Sequence, residues 1–298
     1  MEEIKTDHQT SVSRACRMAR LPRSQAYYHS RRDDTQVIAA LQGHTQKHPT
    51  HGFALSFSYL RKSHPWNHKR VYRLYCLLKL NLKRRGRRRL PDRVKVPLAV
   101  PQVPNTTWSM DFMSDALLSG RKFRTFNLID DTTRKALVIE VDTSLPARRV
   151  VRSLEQAIDL NGKPVTLRCD NGPEFISKEL ALYCHTQGIT LQHTEPGKPT
   201  QNAFIERFNG TYRKEILDAY TFYDLDQDKD LTQNWIQEYN QERPHQSLAG
   251  KTPQQAHDQL LSQGIMKGGT PFHDPLTQTT QPLSLNNPNY PLVLNCLK

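Results

Sequence analysis

Cysteine is scarce and scattered: Cys16, Cys76, Cys169, Cys184 and Cys296 are the only five in 298 residues, and no two form a CxxC pair. That pattern suits a reducing compartment and argues against a cysteine-based zinc site. Long apolar runs are missing as well. No stretch approaches the ~20 residues that span a bilayer, and Met1-Glu2-Glu3 does not read as a signal peptide. A cytoplasmic protein without membrane contact is expected. Neither a glycine-rich nucleotide loop nor a Ser/His/Asp arrangement is evident, which argues against two large enzyme classes. Acidic residues are rare where basic ones crowd. Residues 1–100 hold 22 Lys/Arg against 6 Asp/Glu, whereas residues 101–298 hold 20 against 23. A basic front joined to a near-neutral body points to a polyanionic partner, with nucleic acid the natural candidate.

The front is helical in pattern. SVSRACRMARLPRSQAYYHSR (11–31) reads as two short helices around a Leu21-Pro22 break, a helix-turn-helix-like arrangement. Two amphipathic segments follow, TQVIAALQGHTQKH and NHKRVYRLYCLLKL. The second places Val71, Leu74, Cys76, Leu77 and Leu78 inward and is flanked by Lys69, Arg70 and Arg73. KRRGRRRLP (83–91) then concentrates Lys83, Arg84, Arg85, Arg87, Arg88 and Arg89, a run that repels itself until it meets phosphate. Three prolines between Val94 and Pro104 predict a stiff linker.

From Thr107 the period changes from 3.6 to 2. WSMDF, KFRTFNLIDD and KALVIEVDTS predict a three-stranded antiparallel meander, with Asp111 facing away from Trp108, Met110 and Phe112. Helix LPARRVVRSLEQAIDLNG, strand PVTLRCD, helix SKELALYCHTQG and strand ITLQHTE follow, and then a long helix from about Asn202 to Tyr220. This order predicts an α/β fold, a mixed five-stranded sheet flanked by helices. Residues 268–298, rich in Thr, Gln, Asn and Pro without helical period, are expected to be disordered.

Three acids stand out. Aspartate is disfavoured in strands, so Asp111 needs a reason: a solvent-facing edge position or a strand-borne ligand. Asp170 ends the fourth strand, where the carboxyl ends of sheet strands form sites, and Asn171-Gly172-Pro173 turns the chain away from it. Glu206 shares a polar stripe with Asn202, Asn209 and Arg213, off the apolar stripe of Ile205, Phe208, Tyr212 and Ile216. Such a stripe is often only solvated. Three converging carboxylates would repel one another unless a cation intervened, and their oxygens suit Mg²⁺ or Mn²⁺. Asp130-Asp131 read better as turn chemistry, Glu174 as a surface group, and His185 and His193 lack ligand spacing.

WSMDF, RCDNGPEF and PGKPTQNAFIERFNGTYRKEIL resemble the three motifs of DDE transposases and retroviral integrases, with 35 residues between Asp170 and Glu206. YNQERPHQSLAGKTP (239–253) resembles the matching stretch of bacterial insertion-sequence transposases of the second-reading-frame type. The resemblance implies an RNase H-like core with Asp111, Asp170 and Glu206 as catalytic metal ligands for two Mg²⁺ or Mn²⁺ ions. It also implies DNA contacts from Arg213 and Asn209, and a helical DNA-binding region before the core. The implied activity is cutting element ends and joining them to target DNA by direct phosphoryl transfer. The implied partners are double-stranded DNA, a second copy of the chain and a first-reading-frame product or fusion, in a bacterial, nucleoid-associated setting. A nuclease that cuts without joining and a non-catalytic DNA-binding regulator are the alternatives. The expected organisation is a helix-turn-helix-like segment (1–34), a basic helical region and linker (35–98), the core (99–262) and a tail (263–298). No zinc module of the retroviral kind is expected.

Overall fold

The computed structural model describes residues 11–27, 33–81, 101–195 and 199–265. The basic run 83–89, most of the proline linker and the tail beyond 265 lie outside the described residues.

The meander forms as its period predicts. Strands β1 (Thr107–Ala116), β2 (Lys122–Asp130) and β3 (Ala136–Asp142) pair antiparallel. Strands β4 (Thr166–Cys169) and β5 (Thr190–His193) run parallel to β1, giving the order β3-β2-β1-β4-β5. Parallel strands need crossovers, and the helices between β3 and β5 provide them.

Strand alternation divides the core into two layers. Trp108, Met110, Phe126, Leu128 and Leu167 face helices α6 (Ala147–Asn161) and α7 (Lys178–Gln187), which bury Val150, Leu154, Ala157, Leu180 and Cys184. Helix α6 stops at Gly162, whose φ of +86° suits a residue without Cβ. Helix α7 starts where the Ser177 hydroxyl accepts the Leu180 N–H at 3.3 Å. The opposite face, with Met113, Phe123 and Ile129, is covered by α8 (Ala203–Tyr212) and α9 (Leu225–Gln241) through Ile205, Phe208, Tyr212, Trp235 and Tyr239.

The long helix departs from its expected form. After Tyr212 it continues as a π turn, Arg213–Leu217, closed by Asp218 N–H donating to Arg213 O at 2.7 Å. The wider turn carries Glu215 round to Trp235 and Arg243.

Three helices rather than two build the front unit: α3 (Thr35–Lys47), α4 (Phe53–Ser63) and α5 (His68–Leu77). The additional helix, FALSFSYLRKS, turns Phe53, Ser56, Phe57 and Leu60 inward. On α5 the inward set is Val71, Leu74, Tyr75 and partly Leu78, the i, i+3, i+4, i+7 stripe. Leu77, expected inward, is 66% exposed, and Cys76 is half-buried. Ahead of these, α1 (Val12–Met18) is followed by α2 (Arg23–Ala26), a single turn. Four residues are too few for the recognition helix that a helix-turn-helix requires.

The front unit rests against the core through histidines. His48 Nδ1 lies 3.3 Å from Glu238 and His51 Nε2 lies 3.5 Å from Glu215. The Lys62 ammonium donates to the Glu242 carbonyl at 2.6 Å. His44, His48, His51 and Tyr59 stack at this junction. Burial, with neighbouring imidazoles, pushes His44 down to about 4 and His48 down to about 3, so both are neutral at ordinary pH.

Candidate active site

Strand register brings two of the acids level. The β1–β4 ladder ends at Ser109 opposite Arg168, and Asp111 and Asp170 each lie two positions past that last rung. Asp111 shares a sheet face with Ser109 and Met113, the face over which α8 packs, and α8 brings Glu206 from its first turn.

Each aspartate is held by its own chain. Asp111 Oδ1 accepts the Phe112 N–H at 2.8 Å, and Asp170 Oδ1 accepts the Gly172 N–H at 2.9 Å. The second bond is the turn chemistry of Asp-Asn-Gly, and it fixes the carboxylate that the turn displays. A Cβ at position 172 would stand 3.0 Å from Asp170 Oδ1, which is why glycine fits there. The turn is braced by an Arg124–Glu174 ion pair and by Phe175 stacked on Phe112 at 4.8 Å between centroids. Glu206 is exposed.

Burial pushes the Asp111 carboxyl up to about 6, and the charges of Asp170 and Glu206 push in the same direction. The Phe112 N–H and the Asn209 amide partly oppose them. The three acids therefore interact electrostatically. Among the described residues, no lysine or arginine forms an ion pair with any of them. Among the described residues, no three His, Cys, Asp or Glu side chains stand close enough together to hold a metal ion as they lie. The chemistry of the donor set, carboxylate oxygens alone, is the kind that hard divalent cations such as Mg²⁺ or Mn²⁺ take.

The expected DNA contacts fare unevenly. Asn209 turns inward: it is 7% exposed, donates Nδ2 to Asp111 Oδ2 at 2.8 Å and accepts from Asn127 Nδ2 at 2.7 Å. With both amide groups engaged it is a partner of Asp111, which corrects its placement among surface contacts. Arg213 donates to the Ser114 carbonyl at 2.9 Å and pairs with Asp115 at 3.2 Å. Arg70 and Arg73 both bind Asp34, at 2.8 and 2.5 Å, while Lys69 is exposed. Lys83, Arg84, Arg85, Arg87, Arg88 and Arg89 lie outside the described residues. Of the acids set aside, Asp130 closes its turn by accepting from Thr132 and Thr133, as expected, while Asp131 pairs with Arg168 at 2.7 Å.

Asn127 was not foreseen. Its signal was a polar amide inside an otherwise β-forming run, KFRTFNLIDD, of a residue type that strands disfavour.

Two models described as "Integrase core domain" match the chain, over residues 101–199 and 187–253. The 31.7 kDa protein of insertion element IS407 from Burkholderia multivorans (strain ATCC 17616 / 249) is 37% identical over 251 residues, covering 83% of this chain and 91% of the relative. The 39.2 kDa protein of insertion element IS476 from Xanthomonas euvesicatoria is 39% identical over 249 residues, covering 82% and 72%. The InsK transposase of insertion sequence element IS150 from Escherichia coli (strain K12) is 25% identical over 261 residues, covering 80% and 90%.

Proposed function

Since the chain belongs to the integrase-core family of bacterial insertion-sequence transposases, we propose that Asp111, Asp170 and Glu206 are its catalytic acids, cutting DNA at element ends and joining those ends to a target. The observation that supports this reading is that Asp111 and Asp170 lie level past the end of the β1–β4 ladder while α8, which carries Glu206, packs over the face of Asp111, whose carboxyl is raised by burial and by the charges of the other two acids.

Divalent ions on these oxygens supply charge stabilisation at the phosphoryl group. The chain's own part is positioning. Phe112 N–H and Asn209 fix the Asp111 carboxylate, and Gly172 N–H fixes that of Asp170. Glu206, exposed on α8, completes the oxygen set from the opposite side. Cleavage places water in line with one phosphodiester, and joining places the freed 3′-hydroxyl in line with another. Neither step passes through a covalent protein–DNA species. The basic front and the run 83–89 grip the phosphates, and uniting two ends calls for at least two copies of the chain on DNA. The domain limits 1–34, 35–98, 99–262 and 263–298 belong to this reading.

The test compares wild type with Asp170→Asn on intact element ends and on ends supplied already cut with a free 3′-hydroxyl. The variant is expected to bind DNA normally and to lose Mg²⁺-dependent cleavage and joining, by at least 10³-fold. Joining at the wild-type rate by Asp170→Asn would overturn the assignment. Wild-type protein that cuts but never joins pre-cut ends would favour the nuclease. No Mg²⁺ or Mn²⁺ effect on activity or thermal stability would favour the regulator.

A further inference from the structure

Asn127 lies directly opposite Asp111 in the β1–β2 register, on the same face of the sheet, and is fully buried. An amide in that position sacrifices hydration, yet among the described residues Asn127 makes one side-chain hydrogen bond, from Nδ2 to Asn209 Oδ1 at 2.7 Å, and its buried Oδ1 finds no partner there. Asn209 in turn donates Nδ2 to Asp111 Oδ2 at 2.8 Å.

The direction of this chain is set by its last member. Asn209 presents its NH₂ to Asp111 Oδ2 and its carbonyl to Asn127, the arrangement that suits an accepting carboxylate oxygen. That carbonyl requires a donor, and the Asn127 NH₂ supplies it. Reversing either amide would oppose like groups at hydrogen-bond distance. We propose that Asn127 is a positioning residue for the candidate active site: through Asn209 it locks the Asp111 carboxylate in the orientation that receives a divalent cation. This rests on the reading of Asp111 as a catalytic acid. It assigns a role to a residue that touches neither substrate nor ion, and it accounts for an amide buried at the price of an unsatisfied oxygen.

Mn²⁺ binding to the full chain without DNA, followed by electron paramagnetic resonance, tests the relay independently of activity. Asn127→Leu is near in volume and removes the donor. It is expected to weaken Mn²⁺ binding about tenfold with little change in melting temperature, because removing the unsatisfied Asn127 oxygen offsets leaving Asn209 Oδ1 without its donor. Asn209→Leu should weaken binding at least as much, and the double variant no more than Asn209→Leu alone, since the two amides act in series. Should the leucine variant not fold, Asn127→Ser and Asn127→Ala give a second comparison at similar volume: the serine, which keeps a donor, should bind Mn²⁺ more tightly. Binding by folded Asn127→Leu within twofold of wild type would overturn the relay. So would multiplicative effects of the two leucines, or equal affinity of the serine and alanine variants. Asp111→Asn serves as the control. If it binds Mn²⁺ as wild type does, or if wild type binds none, the acid assignment fails and the relay falls with it.

Discussion

If Asp111 is the metal ligand proposed above, a proton and a divalent cation compete for its oxygens. In the unfolded chain the group titrates near 3.8, and in the folded, metal-free chain near 6. Between those values the folded state keeps a proton that the unfolded state has lost. Stability therefore falls as pH rises through this window, and above it the ionised acid is a standing cost. A divalent cation binds the ionised form and removes that cost, so metal affinity should drop about tenfold per pH unit below 6. Millimolar Mg²⁺ is expected to raise the melting temperature of the wild-type chain at pH 7.5, and by clearly less at pH 5. Thermal melts at the two pH values check this. A rise of equal size at both would mean that Mg²⁺ binds elsewhere. Gly172 belongs to the same scale, because its missing side chain leaves Asp170 Oδ1 where its own backbone holds it.

Among the elements, α8 and its π turn carry the most consequence. Glu215 is buried, which alone would raise its carboxyl, but His51, Arg243 and Trp235 outweigh burial and hold it at about 2. A depressed acid contributes stability that is complete above the unfolded value of 4.5 and lost as pH falls toward 2. Glu215→Gln should remove that acid-limb loss from the stability profile. Arg243→Ala, which leaves a buried carboxylate unpaired, should cost about 3 kcal/mol. Urea titrations between pH 2.5 and 7 read both effects.

The order of the sheet strands and their two crossover helices was legible from hydrophobic period, because β1 to β3 and α6 each bury one regular face. The three acids stood out as polar residues at structured positions. What was not legible depends on contacts distant in sequence. Nothing local marks the π turn, whose Glu215 meets Arg243 28 residues on. The inward turn of Asn209 depends on Asp111, 98 residues earlier.

For the whole molecule, charge placement makes a quantitative demand. Each phosphate neutralised adds about −0.9 to the slope of log affinity against log salt. Replacing Arg87, Arg88 and Arg89 with alanine should therefore flatten that slope by about 2 to 3 units, with Mg²⁺ affinity at the acids unchanged. DNA binding measured over a salt series decides it, and an unaltered slope would remove the run from the DNA interface. The helical unit contributes less free charge than its composition suggests, since Asp34 already occupies Arg70 and Arg73. Its docking has its own basis, in His48, which burial keeps neutral beside Glu238, and in His51 beside Glu215. Among the described residues, no helix is long and apolar enough to cross a membrane.

Residues 203–217 run as one unbroken helical rod, with Glu206 near one end and the clamped Glu215 near the other. Nine residues at 1.5 Å each put about 13 Å between them. The helical unit and the acids, far apart in sequence, are thus joined in space by a single helical segment that begins at the His51–Glu215 contact.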